Sequence, residues 1–159
     1  MFFSHISAYA GIGVAGFYFN PKGRYSDGKF YALQPLGTEG QGLPGGPDKY
    51  RRIGLAIPLS IGAKYSLGKR LGIGAEFCFR KTFTDYLDDV STVYYDNAEI
   101  IKANGDKAGF LADPNDGTNP NWTNPGERRG GEGQKDFYGT FLISVNYKLL
   151  KGKSFKPRF

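Results

Sequence analysis

Few residues in this chain carry side chains suited to chemistry, and their spacing narrows the choices at once. There is one His (His5) and one Cys (Cys78). A single Cys makes no internal disulfide, and neither residue can assemble a His- or Cys-rich metal site alone. His5 with a Ser and a carboxylate is the minimal set for a hydrolase, but no nucleophile is fixed near it, and the reading is a non-enzymatic protein with no cofactor. Asp113-Pro-Asn-Asp-Gly-Thr-Asn119 begins like a calcium loop, yet Gly117 stands at the fifth place, where the EF-hand pattern wants Asp or Asn. It reads as a turn. Asn121-Trp-Thr123 fits a glycosylation sequon and carries nothing further. Cys78 is expected to be inert.

Two charge groupings remain. Lys64, Glu76 and Arg80 are long charged residues set among small neighbours. Thr84, Asp85, Tyr86, Leu87, Asp88, Asp89, Val90 and Ser91 place three acids within five positions. Crowded carboxylates must be neutralised by backbone N–H groups or by Arg and Lys, and Arg80 is the nearest basic candidate.

The elements that position these groups show in the alternation. In residues 52–67, Ile53, Leu55, Ile57, Leu59, Ile61, Ala63, Tyr65 and Leu67 fall on one face. Arg52, Gly54, Ala56, Pro58, Ser60, Gly62, Lys64 and Ser66 fall on the other. Segments 71–84, 137–149 and, less cleanly, 6–19 repeat the pattern. Period two marks strands with two unlike faces. A helix would lose about 1 kcal/mol at each interior Gly, and i, i+2 residues share no helical face. Each segment is about 13 to 16 residues long, against about 9–11 needed to cross a bilayer at a tilt of about 45°.

The narrow face decides which way the apolar face points. It is built from Gly11, Gly13, Gly54, Ala56, Ser60, Gly62, Gly72 and Gly74 rather than from Lys, Glu and Thr. Small residues at alternate positions suit the crowded interior of a narrow barrel, whereas the bland alternative is that Gly marks weak strands or bulges. In the barrel reading the apolar face meets outer-membrane lipid, and Lys64, Glu76 and Arg80 are barrel-interior charges. Glu76, the one acid inside the four segments, should pair with Lys64, Arg80 or another base. The purpose of such a network is to plug and stiffen the barrel rather than to gate a pore. Lys81, alone among charges on the apolar face, snorkels to the headgroups.

Connections alternate in length. Gly68-Lys69-Arg70 is a tight turn, while 20–51 and 85–136 are long and polar. Outer-membrane barrels pair short periplasmic turns with long external loops, so both long segments read as external and the basic tail, 150–159, as periplasmic. Aromatics near the segment ends (Phe17, Tyr18, Phe19, Tyr50, Tyr65, Phe83, Tyr86, Phe137, Tyr138, Tyr147) fit interfacial girdles. The net charge is +6 over 159 residues, but Lys and Arg are scattered without a basic stripe, so no nucleic acid partner is expected. Residues 1–20 hold no Lys or Arg, and Gly11, Gly13 and Gly16 break the apolar run, so no signal peptide is read.

Three stretches, Phe19-Asn20-Pro21, Leu33 to Gly42 and Arg80 to Ser91, resemble the PorG-like outer-membrane β-barrel proteins of Bacteroidota, which are associated with the type IX secretion system. The resemblance covers most of residues 8–149 and is weakest over 97–135. It implies an all-β, antiparallel, up-and-down outer-membrane barrel that serves protein transport and gliding motility and contacts periplasmic secretion-ring proteins. Members of that family have a signal peptide and several earlier strands. Four spans fall short of the eight in the smallest such barrel. Residues 1–159 are therefore expected to form a single barrel domain truncated at its N-terminus, the C-terminal half of an eight-stranded barrel, or an open four-stranded sheet in isolation. Thr84 to Ser91 would be either a docking or lid element or a structured loop cap. Two other functions stay open: a small outer-membrane adhesin or passive pore, and a soluble ligand-binding barrel.

Overall fold

Wherever alternation is sustained, the chain forms strand. A computed structural model describes residues 6–68, 70–119, 121–131 and 133–149. His5, Lys69 and the tail 150–159 lie outside the described residues. In chain order the elements are β1 (Ile6–Ile12), β2 (Ala15–Tyr18), β3 (Lys22–Arg24), β4 (Phe30–Ala32), β5 (Ile53–Leu67), β6 (Leu71–Thr82), α1 (Asn97–Asn104), α2 (Asp106–Ala112) and β7 (Phe137–Tyr147). The chain is mostly β and antiparallel, with two short helices. Its main sheet has the order β1-β5-β6-β7, with β2 also on β5, and among the described residues it is open, with β1 and β7 at its edges.

The segment 6–19 is broken at one point for a chemical reason. β1 pairs Ile6 with Tyr65 through Ile12 with Leu59, and β2 pairs Ala15 with Ala56 through Tyr18 with Ile53. Between them Gly13 faces Pro58. Proline has no N–H to give, so the one bond there runs from Gly13 N to the Pro58 carbonyl at 3.1 Å.

The chain divides into two compact units. The first holds residues 1–14, 57–80 and 137–159. Its apolar face is bare: Ile61 is 65% exposed, Phe141 66% and Ile143 75%. On its narrow face Tyr9 lies across Gly62, where a Cβ would come within 2.4 Å of the ring. Small residues thus make room for the few large ones.

The second unit holds 15–56 and 81–136. It contains a folded module where polar loops were expected. β3 and β4 form a hairpin around Asp27-Gly28. The N-cap Asp96 starts α1 by accepting from Ala98 N and Glu99 N, and Gly105 at φ 87° ends it. Lys107 of α2 lies 3.4 Å from the Tyr31 ring centroid. Ile100, Ala108 and Ala112 form a buried apolar cluster, with Leu36, Leu43 and Tyr95 packed against it.

Candidate functional site: a buried carboxylate clasp

The interior-face charges share one face, as the alternation requires, but their partners differ from expectation. Glu76 accepts from the Tyr9 hydroxyl at 2.7 Å. Lys64 Nζ stands over the Tyr9 ring at 5.3 Å. Arg80 donates to Thr140 Oγ1 at 2.8 Å and lies over Tyr138. The expected ion pair of Glu76 with Lys64 or Arg80 is therefore replaced by bonds to hydroxyls and rings. On an open sheet these charges keep water, so none is forced onto an opposite charge. Lys81, expected to snorkel, donates to the Lys135 carbonyl. Cys78 is buried and free.

The richest polar geometry lies in the second unit. Three segments distant in sequence converge there: 38–41, 84–92 and Arg129. Their backbone is shaped first. Gly40 holds φ at 73° against the face of Tyr95, where a Cβ would approach within 2.4 Å, so a side chain is barred by both conformation and space. The preceding Glu39, 1% exposed, is thereby presented to the backbone of 91–92. Its carboxylate accepts from Ser91 N at 2.9 Å, from Thr92 N at 3.2 Å and from Thr92 Oγ1 at 2.9 Å. Arg129 supplies the counter-charge at 3.6 Å, and its Nη1 also donates to Thr38 Oγ1 at 2.9 Å.

Asp89 is the second anchor. It is fully buried and is the one non-glycine residue at positive φ among those described, at 72°. Asp tolerates this region better than most residues. Its two oxygens accept from the Thr38 hydroxyl and, at 2.6 Å, from the Tyr50 hydroxyl. Burial pushes its carboxyl up from the ordinary range, while the Thr38 and Tyr50 bonds and the Arg129 charge pull the other way. Tyr50 is raised by burial and then by its bond to Asp89.

The remaining acids of the octet are satisfied locally. Asp85 accepts from Ser91 Oγ at 2.7 Å, and Asp88 from Val90 N at 3.1 Å. Leu87 N donates to Asp136 at 2.8 Å, whose carboxyl is raised chiefly by burial. The expected role of Arg80 in neutralising these acids is taken by hydroxyls, backbone amides and Arg129. Around them Phe19, Tyr50 and Tyr86 stack in series, with centroids 5.9 and 4.6 Å apart.

Chemically this arrangement is a clasp. The two most deeply buried carboxyls, Glu39 and Asp89, each have two or more donors, the condition under which a buried acid holds structure together rather than opening it. Sequence reasoning singled out Asp85 to Ser91 but missed Glu39 as an anchor and missed Arg129. In the 113–119 loop the side chains fold back on their own backbone: Asp113 accepts from Asn115 N, and Asp116 from Thr118 N and Oγ1. These bonds hold the Asp116 carboxyl below its usual range. Among the described residues no group of three His, Cys, Asp or Glu side chains could hold a metal ion.

No protein-family model, curated protein or solved structure matches the chain.

Proposed function

We propose that this chain is part of an outer-membrane β-barrel, non-enzymatic, that serves protein secretion and gliding as in the type IX-associated family it resembles, and that it docks periplasmic ring proteins. One observation carries the membrane half of this reading. Strands of 11 to 15 residues (β5, β6 and β7) gather apolar side chains on one face, and that face is bare. In water such a face would be covered, because bare apolar area costs about 25 cal/mol per Å². No helix among the described residues is long and apolar enough to cross a membrane.

The secretion half rests on the resemblance, and the clasp supports it. The quoted stretches supply Phe19, Thr38, Glu39, Asp85, Tyr86, Asp89 and Ser91, which meet in one cluster within one unit. Residues that define the resemblance thus do connected structural work. Unpaired strand edges are not tolerated in hydrocarbon, so the β1 and β7 edges need further antiparallel strands in the membrane. A second reading, a small barrel whose external module is an adhesin, is favoured by the fact that the long loops form a compact unit of their own.

Fractionation with carbonate and high salt tests the first step: the account expects release only with detergent. Affinity capture of the tagged chain should then retrieve periplasmic secretion components, and deletion should empty the secretome. Capture without such components and an unchanged secretome would leave the adhesin reading.

A further inference from the structure

The first unit is lopsided in charge. Its residues include nine Lys and Arg against one acid, Glu76, and eight of the nine fall within 64–70 and 148–158. Glu76 is taken by the Tyr9 hydroxyl at 2.7 Å. Beside the short turn, Lys64, Arg70 and Lys148 line a trough of about 200 Å³ with Ser66, Gly72 and Asn146. By alternation these positions share the narrow face.

The cations stand at two levels along the strands. Nearest the turn, Lys148 N donates to the Arg70 carbonyl at 2.9 Å, so these residues are side by side. Among the described residues neither side chain has a hydrogen-bond or ion-pair partner. Four residues on from Arg70, Gly74 lies between Lys64 and Ser144: a Cβ there would come within 3.4 Å of Lys64 Cγ and 2.8 Å of Ser144 Oγ. The Lys64 ammonium reaches on toward Tyr9, 5.3 Å from the ring centroid, and Tyr9 pairs with Gly62, farther from the turn. At about 3.3 Å per residue the two levels are about 13 Å apart, and Gly72 leaves the floor between them bare.

The geometry points to an extended acidic segment of a partner protein, bound along this trough with one carboxylate at Arg70 and Lys148 and a second, four residues on, at Lys64. Side chains four apart in an extended chain share a face and are separated by about 13 Å. The planar fork of Arg70 suits a carboxylate. A lone phosphate, held at about 2.8 Å, cannot meet both levels. A lipid lies against the apolar face, which is the opposite one. A nucleic acid strand needs rings on which its bases stack, and Tyr65 and Tyr147 alternate to the apolar face. The inference deepens the docking reading above by giving the chemistry of the docked element, and it rests on that reading.

The test uses the full chain in dodecyl maltoside and rhodamine-labelled Ser/Thr peptides with two Glu four positions apart, two Glu adjacent, or two Gln four apart. Fluorescence anisotropy at about 50 mM salt should show the spaced-Glu peptide binding about tenfold more tightly than the Gln peptide and about threefold more tightly than the adjacent-Glu one. Both preferences should vanish at about 1 M salt. Arg70→Gln with Lys148→Gln should remove them, and Lys64→Gln should make the two Glu peptides equal. Gly72→Leu fills the floor without touching a charge and should weaken all preference; a Cβ there meets only the Tyr65 carbonyl, at 3.5 Å. Equal binding of the three peptides, or full preference in Gly72→Leu, overturns the site. So does displacement by inorganic phosphate at the peptide's own dissociation constant, or tighter binding of a single-stranded oligonucleotide of matched charge. A chain that needs detergent yet binds the peptides alike refutes this site alone, whereas a chain that stays dissolved without detergent refutes the membrane reading and this inference with it.

Discussion

Replacing Glu39 by Ala probes the clasp at its most connected point. The substitution strands Ser91 N, Thr92 N and Thr92 Oγ1, and leaves Arg129 at the edge of a buried site without its counter-charge. Each buried donor left unmade costs about 1–3 kcal/mol, and breaking a buried ion pair costs about 3–5 kcal/mol. These terms overlap, and Arg129 keeps its bond to Thr38 Oγ1, so about 3 kcal/mol is a fair total for opening the segment. At about 1.4 kcal/mol per decade, exchange of the Ser91 and Thr92 amides should quicken by about a hundredfold. Hydrogen exchange with mass spectrometry, on peptides spanning 84–95 of the detergent-held full chain, reads this directly. Glu39→Gln, which keeps one acceptor, should fall between. Peptides from β6 and β7 of the first unit serve as the internal reference and should not change. Exchange at 91–92 within about threefold of the unaltered chain would mean that the carboxylate does not hold these loops together.

Asp89 gives a pH prediction with a definite sign. Its folded-state affinity for a proton is raised, so its contribution to clasp stability is fullest at pH below the ordinary carboxylate range and is lost as pH rises through its raised value; in Asp89→Asn, protection of 84–95 should not follow pH over that window. Tyr50→Phe removes a donor to Asp89 and should weaken protection there by about 1–3 kcal/mol, read by the same exchange. Gly62→Ala should destabilise the β1–β5 pair by about 1–3 kcal/mol through collision with Tyr9, seen as a lower urea midpoint in detergent, and Tyr9→Ala in the same chain should restore it. Ile61→Arg, placing a charge on the apolar face, should reduce stability in bilayers by about 2–4 kcal/mol, while Ser60→Arg on the narrow face should cost less.

The strands were legible because their signal is local and repeated. Residues 52–67 and 71–84 announce β5 and β6 within two or three positions, and 137–149 announces β7. The break near Gly13 is subtler, since it depends on Pro58 across the ladder rather than on residues nearby. Inside the loops, signals existed and were outweighed by composition. Asp96 with Glu99 three residues on is a helix-start pattern, and Asp27-Gly28 is a hairpin signal. The clasp is another matter. Thr38 and Arg129 are 91 residues apart, and nothing in a single sequence states that they meet. Asp85 to Ser91 stood out because acids crowd there, but which donors satisfy them is decided by tertiary packing of the second unit. The Glu76 expectation missed its partner for a related reason: the Tyr9 hydroxyl, 67 residues away in sequence, reaches the carboxylate across the sheet.

The claim beneath all of this is that hydrocarbon covers the exposed apolar face. Nitroxides placed singly at Ile61, Phe77 and Ile143, and in a second set at Ser60, Ser66 and Ser144, with Cys78→Ser throughout, report it by collision with oxygen and with a water-soluble nickel chelate. In bilayers the first set should favour oxygen and exclude nickel, and the second should not. Nickel reaching Ile61, Phe77 and Ile143 as freely as the serine positions, or equal profiles for the two sets, would contradict the account.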